Sequence, residues 1–424
     1  MRFSPAYLLP ASAALVALGI LTVMSRGASP VLYEVSLVGE ASREISVRVK
    51  LRRIAQRSSL HVFSRAADLH IQDQIYDVFC DEVPLRMERK RAVAVPENCS
   101  VLSWKSRMEV VGEDGILVEQ QSFQSAGGEW GLLSGPASLL RFAPVSQSPR
   151  LKMTSGDGAV LYKGVLPPTS RPPFFLPFGD WATGHAELQA FKIVYHVDDP
   201  AFLGGAEPWP EHLAGLRYIA GLLQLAPGDQ SLHVVWVGRR DEENNINGAA
   251  GERVLLVNYT RNGDHLTARD RMRALFVLLH EQFHQIDPGG GGGESWYGES
   301  VSSYYALKAL RRQAGETALL DEIWAEFIDI DRPVVHTFRD IERQMASGDR
   351  SNSFLVYTQG ATFWFALDEL ISAETGGAES LDDYIGEIKL LRFESGEGSL
   401  PAVIRILPAS ITNDVMLLME KYVG

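Results

Sequence analysis

The chain of 424 residues contains only two cysteines, Cys80 and Cys99. Their spacing is unlike the Cys-x-x-Cys pattern of thiolate metal sites, so we do not expect them to be metal ligands. An even number of cysteines in an exported chain favours one disulfide closing a short loop, with two buried thiols as the alternative. We therefore expect a disulfide between Cys80 and Cys99.

Positive charge is also scarce. The chain has 40 lysines and arginines against 53 aspartates and glutamates, which gives a formal net charge of −13. Phosphate binding requires a basic surface, so this balance argues against nucleic acid as a partner. The hydrophobic content of 46% and the charged content of 22% are typical of globular proteins. The length is sufficient for two or three domains.

Charge is absent altogether from residues 6–24, which lie between Arg2 and Arg26. This segment is longer than the ~7–15 residues of a signal-peptide core and near the lower limit of ~17–25 residues for a membrane span. No clear small-x-small cleavage site follows it. We expect residues 1–29 to be an export signal, retained as a membrane anchor or else cleaved, with the remainder on the periplasmic or extracellular face.

Two kinds of pattern follow, separated by a proline-rich connector. In residues 30–180, short runs that alternate apolar and polar residues lie between Gly, Pro, Ser and Asp clusters, which predicts an antiparallel β-domain. The connector "PPTSRPPFFLPFGDW" covers residues 167–181. Residues 181–424 begin with strand patterns and continue from Thr267 with helical periodicity. Together these patterns predict an α+β fold whose second domain has a small mixed sheet and a helical half.

The sequence "HEQFH", residues 280–284, has the pattern H-E-x-x-H. On a helix, residues four apart share one face, so His280 and His284 can bind one metal ion. Glu281 can then act as general base toward a metal-activated water. The preceding "MRALFVLL" is apolar and helical in character, which would bury this helix and leave its histidine face toward a cleft.

A catalytic zinc requires a third protein ligand and an open position. Glu299 opens the second amphipathic pattern, "ESVSSYYALKAL", and five glycines at 289–293 can reverse the chain so that the two helices pack side by side. Asp287 and Glu294 are rival ligands, but both lie in the loop, where their geometry would be poorly held. We therefore predict a Zn²⁺ site formed by His280, His284 and Glu299.

"HEQFH" followed by "WYGESVSSYY" resembles the gluzincin metallopeptidases, most closely their glycyl aminopeptidase branch, whose second helix begins W-x-x-E-G-x-x-x-Y-Y. Trp296, Glu299, Tyr304 and Tyr305 occupy the matching positions, whereas Ser300 stands where the family usually has glycine. The resemblance implies a thermolysin-like catalytic domain over residues 181–424, after a β-sandwich-like domain. It also implies Zn²⁺ and a peptide or protein substrate. Too few residues follow Ile371 for the PDZ domain that many members carry at this end.

A second match lies downstream, in "YTQGATFWFALDELI", residues 357–371. It is similar to the family's Y-x-x-G-A segment and the apolar helix that follows. The resemblance implies that Tyr357 donates a hydrogen bond to the oxyanion of the transition state. Considered alone, a tyrosine just before a glycine-containing helix start is more often a half-buried packing residue.

The segment "NGAAGERV" bears on substrate binding. Gluzincin aminopeptidases hold the substrate's free amino group with a glutamate in a glycine-rich strand edge, and alignment on Gly248 and Ala249 puts Gly251 at that position. Glu252 follows one residue later. The resemblance therefore makes Gly248, Ala249 and Glu252 candidate substrate-binding residues, while exopeptidase and endopeptidase specificity both stay open. Ser303, four residues after Glu299, is a candidate support for a metal ligand.

These features predict an exported zinc-dependent peptidase. The alternative is a catalytically inactive, membrane-anchored binding or scaffold protein that retains a peptidase fold. The complete set of His280, Glu281, His284 and Glu299 argues against that alternative, because a decayed site usually loses a ligand or the base first. A purely structural zinc is disfavoured, because structural sites are closed and often rich in thiolates.

Overall fold

The computed structural model describes residues 31–38, 43–51, 60–63, 74–87, 92–112, 121–143, 149–168, 172–228, 230–239, 246–287, 295–314, 317–391 and 400–424. Within these ranges no helix combines the length and the apolar composition needed to cross a bilayer. The expected export signal or anchor, residues 1–29, lies outside the described residues.

The N-terminal part consists almost entirely of strands. They are β1 (Leu32–Leu37), β2 (Glu44–Lys50), β3 (Leu60–Phe63), β4 (Ile75–Cys80), β5 (Val83–Pro84), β6 (Ala92–Val95), β7 (Val101–Arg107), β8 (Glu109–Val110), β9 (Phe123–Gln124), β10 (Trp130–Ser134), β11 (Arg141–Ala143), β12 (Arg150–Thr154), β13 (Val160–Val165) and β14 (Phe175–Gly179). One short helix, α1 (Gly135–Ser138), follows β10.

These strands form a seven-stranded sheet of order β13-β12-β1-β2-β7-β4-β5, a four-stranded sheet β14-β10-β9-β8 and a three-stranded sheet β11-β3-β6. Pairing is mostly antiparallel, as the sequence predicts, but β1 pairs with β12, and β8 with β9, in parallel. Side chains alternate along β2 and β7, so that Val47 and Trp104 are buried in the domain's own core. Cys80, at the end of β4, forms a disulfide with Cys99.

The C-terminal part is built on a five-stranded sheet of order β15-β16-β17-β19-β18. Its strands are β15 (Ala182–Glu187), β16 (Phe191–Val197), β17 (Gln230–Arg239), β18 (Asn247–Ala250) and β19 (Val254–Thr260). The three central strands run parallel, and β15 and β18 are antiparallel edge strands. The boundary predicted at residues 180–181 lies between β14 and β15.

Helices account for most of the remaining chain. They are α2 (Pro200–Leu203), α3 (Pro210–Leu222), α4 (Ala268–Ile286), α5 (Ser295–Ala314), α6 (Ala318–Phe327), α7 (Phe338–Ala346), α8 (Leu355–Glu374), α9 (Leu381–Ile388), α10 (Leu400–Ile406) and α11 (Thr412–Tyr422), with a 3-10 turn at Ala409–Ile411. The α+β fold predicted from the sequence is confirmed.

The two faces of the five-stranded sheet bury different partners. Leu255 and Val257 of β19 belong to the large core formed with the helices. Val254 and Leu256 point the other way and join Phe175 of the N-terminal part in a separate cluster. Because successive residues of a strand alternate between faces, one buried strand supplies both cores. The sheet is therefore the layer between the β-domain and the helices.

Candidate metal centre

Helix α4 carries the H-E-x-x-H residues. It begins after Thr267, whose side chain accepts a hydrogen bond from the backbone N–H of Asp270 at 3.1 Å. Its apolar stripe includes Leu275, Leu278 and Phe283, which are buried in the large core. Since this stripe fixes which side of the helix is buried, the remaining side turns toward α5 and the edge strand β18.

His280, His284 and Glu299 converge on one point. The Nε2 atoms of His280 and His284 are 3.2 Å apart, and Oε2 of Glu299 lies 3.0 Å from the first and 3.2 Å from the second. One ligand atom from each side chain falls within 4.8 Å of the other two. His280 is buried and the other two are half-buried, so the site opens on one side. Helix α4 supplies two members of this group and α5 supplies the third.

Two serines of α5 lie behind the imidazoles. Oγ of Ser303 is 3.2 Å from Nδ1 of His280 and also donates to the backbone carbonyl of Glu299 at 2.8 Å. Oγ of Ser302 lies 3.5 Å from Nδ1 of His284. A serine oxygen that donates to a carbonyl still accepts an imidazole N–H, which keeps Nε2 free for a metal. The role suggested for Ser303 thus has a matching contact.

The charges in this group reinforce one another. Burial would raise the pKa of Glu299, but hydrogen bonds and charge interactions with His280 and His284 hold that pKa below its usual value. For His284, burial lowers the pKa, whereas the hydrogen bond to Glu299 and the nearby acidic charges raise it to above its usual value. A cation placed among these side chains would meet an ionised carboxylate.

Glu281 faces the edge strand β18. The backbone N–H of Ala250 donates to Oε2 of Glu281 at 2.9 Å. Strand and helix approach so closely that a Cβ on Gly248 would lie 2.7 Å from Cγ1 of Val277 and 2.8 Å from Cγ of Glu281. Glycine at 248 therefore permits the contact that orients the Glu281 carboxylate.

Tyr357, in the first turn of α8, lies beside His280 and Glu299. Its ring centroid is 5.6 Å from that of His280. Burial, the charges of Glu299 and Glu281, and a hydrogen bond to Glu299 raise the pKa of Tyr357 well above its usual value. The phenol therefore stays protonated and can donate a hydrogen bond at any physiological pH.

Helices α5 and α8 are held together at very short range. A Cβ on Gly360 of α8 would lie 2.2 Å from Cβ of Ser300, and Trp364 Nε1 donates to Oγ of Ser300 at 2.8 Å. About two turns further along, Nζ of Lys308 lies 2.6 Å from Oδ2 of Asp368 and 2.7 Å from Oδ1 of Asp382. These contacts bring Tyr357 and Glu299 to the same side of the site.

The structure places the substrate-binding candidates in two locations. Gly248 lies against Glu281, and Ala249 faces the opposite side of the sheet with Leu256. Glu252 occupies the tight turn between β18 and β19 and lines a cavity shared with the β-domain. Gly251 is buried, and a Cβ there would lie 2.7 Å from both Phe175 Cδ2 and the carbonyl of Pro173. The position that aligns with the family's amine-binding glutamate therefore has no room for a side chain.

Of the rival ligands, Asp287 ends helix α4 and is not part of the three-residue group. Glu294 and the five glycines lie outside the described residues. The hydrogen bond from Ala250 to Glu281 and the contact of Ser302 were not anticipated from the sequence. A backbone N–H has no sequence signature, and only the neighbouring Gly248 hinted that the chain approaches closely here.

No family model matches the sequence, and no curated protein matches it. Solved structures do share its fold. An aminopeptidase N family protein from Idiomarina loihiensis is 11% identical with a TM-score of 0.61, over 85% of this chain and 70% of that one. A variant of an M1 zinc metallopeptidase from Deinococcus radiodurans, bound to a Tyr-Ser-Ala substrate, is 14% identical with a TM-score of 0.52, over 93% of each chain.

Aminopeptidase A from Legionella pneumophila, in complex with aspartic acid, is 13% identical with a TM-score of 0.52, over 93% of this chain and 49% of that one. At such low identity these likenesses concern the fold, and the narrower resemblance to glycyl aminopeptidases stays a prediction. The chain has the two-domain α+β fold of the M1 aminopeptidases.

Proposed function

We propose that this protein is a zinc-dependent peptidase. The observation that carries the proposal is the convergence of three potential metal ligands, His280, His284 and Glu299. A fourth side chain next to them, Glu281, is a carboxylate that is not part of the ligand group. The likeness of the fold to M1 zinc metallopeptidases supports the same reading.

The donor set suits zinc. Two imidazole nitrogens and one carboxylate oxygen are typical ligands of catalytic zinc, and three protein ligands leave a position for water or substrate. A structural zinc would need a closed set of four ligands. When bound here, zinc would polarise the substrate carbonyl and make a water molecule acidic enough to react at neutral pH.

The chain's own residues supply the remaining chemistry. Glu281 takes a proton from the attacking water and passes it to the leaving amine. The N–H of Ala250 holds the Glu281 carboxylate against strand β18. Tyr357 remains protonated and donates a hydrogen bond to the negative charge that develops on the carbonyl oxygen.

Peptides or proteins are the proposed substrates, because the related structures were solved with a tripeptide substrate and with an amino acid. Because neighbouring atoms leave no room for a side chain at position 251, we propose that the substrate binds without a carboxylate from that position. We also propose that the protein is exported and held at a membrane, on the support of the charge-free residues 6–24.

A digest of a diverse peptide library tests the function. Zinc-loaded wild-type protein is expected to cleave peptides, whereas Glu281→Gln should retain the metal and lose at least about 100-fold in rate. Glu420→Gln makes the same chemical change on an exposed surface of α11 and should behave as wild type. Cuts at free N-termini or at internal bonds would distinguish an exopeptidase from an endopeptidase. Zinc binding by the wild type without any cleavage would favour the inactive scaffold.

A further inference from the structure

A chain of buried polar side chains reaches the back of helix α4. Tyr195 of β16, His212 of α3 and Gln282 of α4 are all buried. The Tyr195 hydroxyl lies 2.6 Å from Nδ1 of His212, and Nε2 of His212 lies 2.5 Å from Oε1 of Gln282. Gln282 is one of the two variable residues of H-E-x-x-H, and its side chain points away from the site and into the large core.

The direction of each hydrogen bond can be assigned. Burial lowers the pKa of His212 to about 4, so its imidazole is neutral and carries a single N–H. Burial raises the pKa of Tyr195, which therefore keeps its proton. Tyr195 donates to Nδ1 of His212, and the N–H at Nε2 donates to the amide oxygen of Gln282. Strand β16, helix α3 and helix α4 are connected by two directional bonds.

A close apolar contact lies one helical turn away from these bonds. A Cβ on Gly215 of α3 would lie 2.8 Å from Cδ2 of Leu279 on α4. His212 and Gly215 are three residues apart, as are Gln282 and Leu279, so the two contacts face each other across one helix pair. The packing of Leu279 against Gly215 fixes the distance between the helices. The hydrogen bond between His212 and Gln282 fixes their rotation and register.

We infer that His212 is a positioning residue that sets the rotation of α4 and thereby aims His280 and His284 at the metal. This inference rests on the proposed zinc function. A buried glutamine is costly without a hydrogen-bond partner and adds no apolar packing that leucine would not supply. Apolar contacts tolerate small rotations of a helix, whereas a 2.5 Å hydrogen bond does not. His212 touches neither substrate nor metal and acts through Gln282 alone.

The test separates positioning from simple stability. His212→Leu leaves both Gln282 and the Tyr195 hydroxyl without their partner, so it should lower both the unfolding free energy and the zinc affinity, the latter by about tenfold. The double variant His212→Leu/Gln282→Leu removes both polar groups. Replacing both partners by apolar side chains is often nearly neutral for stability. We expect the double variant to regain part of the stability, because the buried Tyr195 hydroxyl still lacks its acceptor, but to bind zinc at least about fivefold more weakly than wild type.

Zinc affinity is measured by competition with a chromogenic chelator, and stability by urea unfolding of the zinc-free protein. Ile219→Val, a core substitution on the same face of α3, is the matched control. It should lower stability slightly without changing zinc affinity. Wild-type zinc affinity in the double variant would overturn the inference and make the pair merely structural. Failure of the wild type to bind zinc would instead overturn the proposed function.

Discussion

The five-stranded sheet separates two histidine pairs, of which one has a carboxylate in contact with both imidazoles. On the helix side, the Nε2 atoms of His280 and His284 are 3.2 Å apart, and Oε2 of Glu299 contacts both of them. On the β-domain side, Nε2 of His196 and Nδ1 of His233 are 2.9 Å apart. This second pair lines a cavity of 830 Å³, and no third ligand from the described residues completes a metal-binding group there.

The carboxylate reverses the protonation behaviour of the neighbouring imidazole. His284 has a raised pKa because contact with Glu299 and other acidic charges outweighs burial. His196 has a pKa lowered to about 3, by burial and by the charges of His233 and His185. The pKa of His233 is also lowered, first by burial. The carboxylate therefore favours a positive charge at the first pair, and no acidic group of the described residues completes a metal-binding group at the second.

The largest expected effect is a loss of zinc affinity at the first pair. Glu299→Gln replaces the anionic ligand by a neutral amide of the same shape and should weaken zinc binding at least about 100-fold. Equilibrium competition with a chelator measures it. His233→Asn alters the second pair and should leave the affinity within about twofold of wild type. An unchanged affinity in Glu299→Gln would refute the ligand assignment.

A smaller effect is expected from the hydroxyl beside the first pair. Tyr357→Phe removes the proposed oxyanion donor and should lower kcat by about 10- to 100-fold. Zinc affinity should stay close to wild type, since the phenol is not a ligand. Steady-state kinetics with a cleaved library peptide provide the measurement, and Tyr384→Phe, whose hydroxyl contacts Glu379, is the control. An unchanged kcat would leave Tyr357 as a packing residue.

The smallest expected effect is on the pH dependence of stability, and it comes from the second pair. In the unfolded chain His196 has its ordinary pKa of 6.5, whereas in the folded protein its pKa is lowered to about 3. Between these values the unfolded chain holds more protons, so the contribution of His196 is complete above 6.5 and is lost as the pH falls. From pH 7 to pH 5, wild type should lose about 1–2 kcal/mol more unfolding free energy than His196→Asn.

Urea unfolding of the zinc-free protein at the two pH values provides the check. His265→Asn changes an exposed histidine and should keep the wild-type pH dependence. Equal slopes for wild type and His196→Asn would show that His196 titrates normally in the folded protein. The lowered pKa that distinguishes the second pair from the first would then be refuted.

Much of the fold and the centre of the site could be predicted from local patterns. The α+β order follows from the change in hydrophobic periodicity near Thr267, and the H-E-x-x-H spacing puts His280 and His284 on one helical face. The parallel pairing of β1 with β12 and the location of Glu252 in the cavity could not be predicted, because both depend on segments far apart in sequence. Tyr357 was proposed as the oxyanion donor because its segment resembles that of the gluzincins, and periodicity gave no indication of this role.

The sequence by itself determined what lies within one helix or one strand, since backbone geometry fixes the spacing of side chains there. It determined that His280 and His284 share a face and that Glu281 lies beside them. Only the tertiary structure decided how close Glu299 comes, what holds Glu281 and where Gln282 is anchored. Those contacts depend on the close packing of separate elements, as at Gly360 against Ser300 and Gly215 against Leu279, and no local pattern encodes such distances.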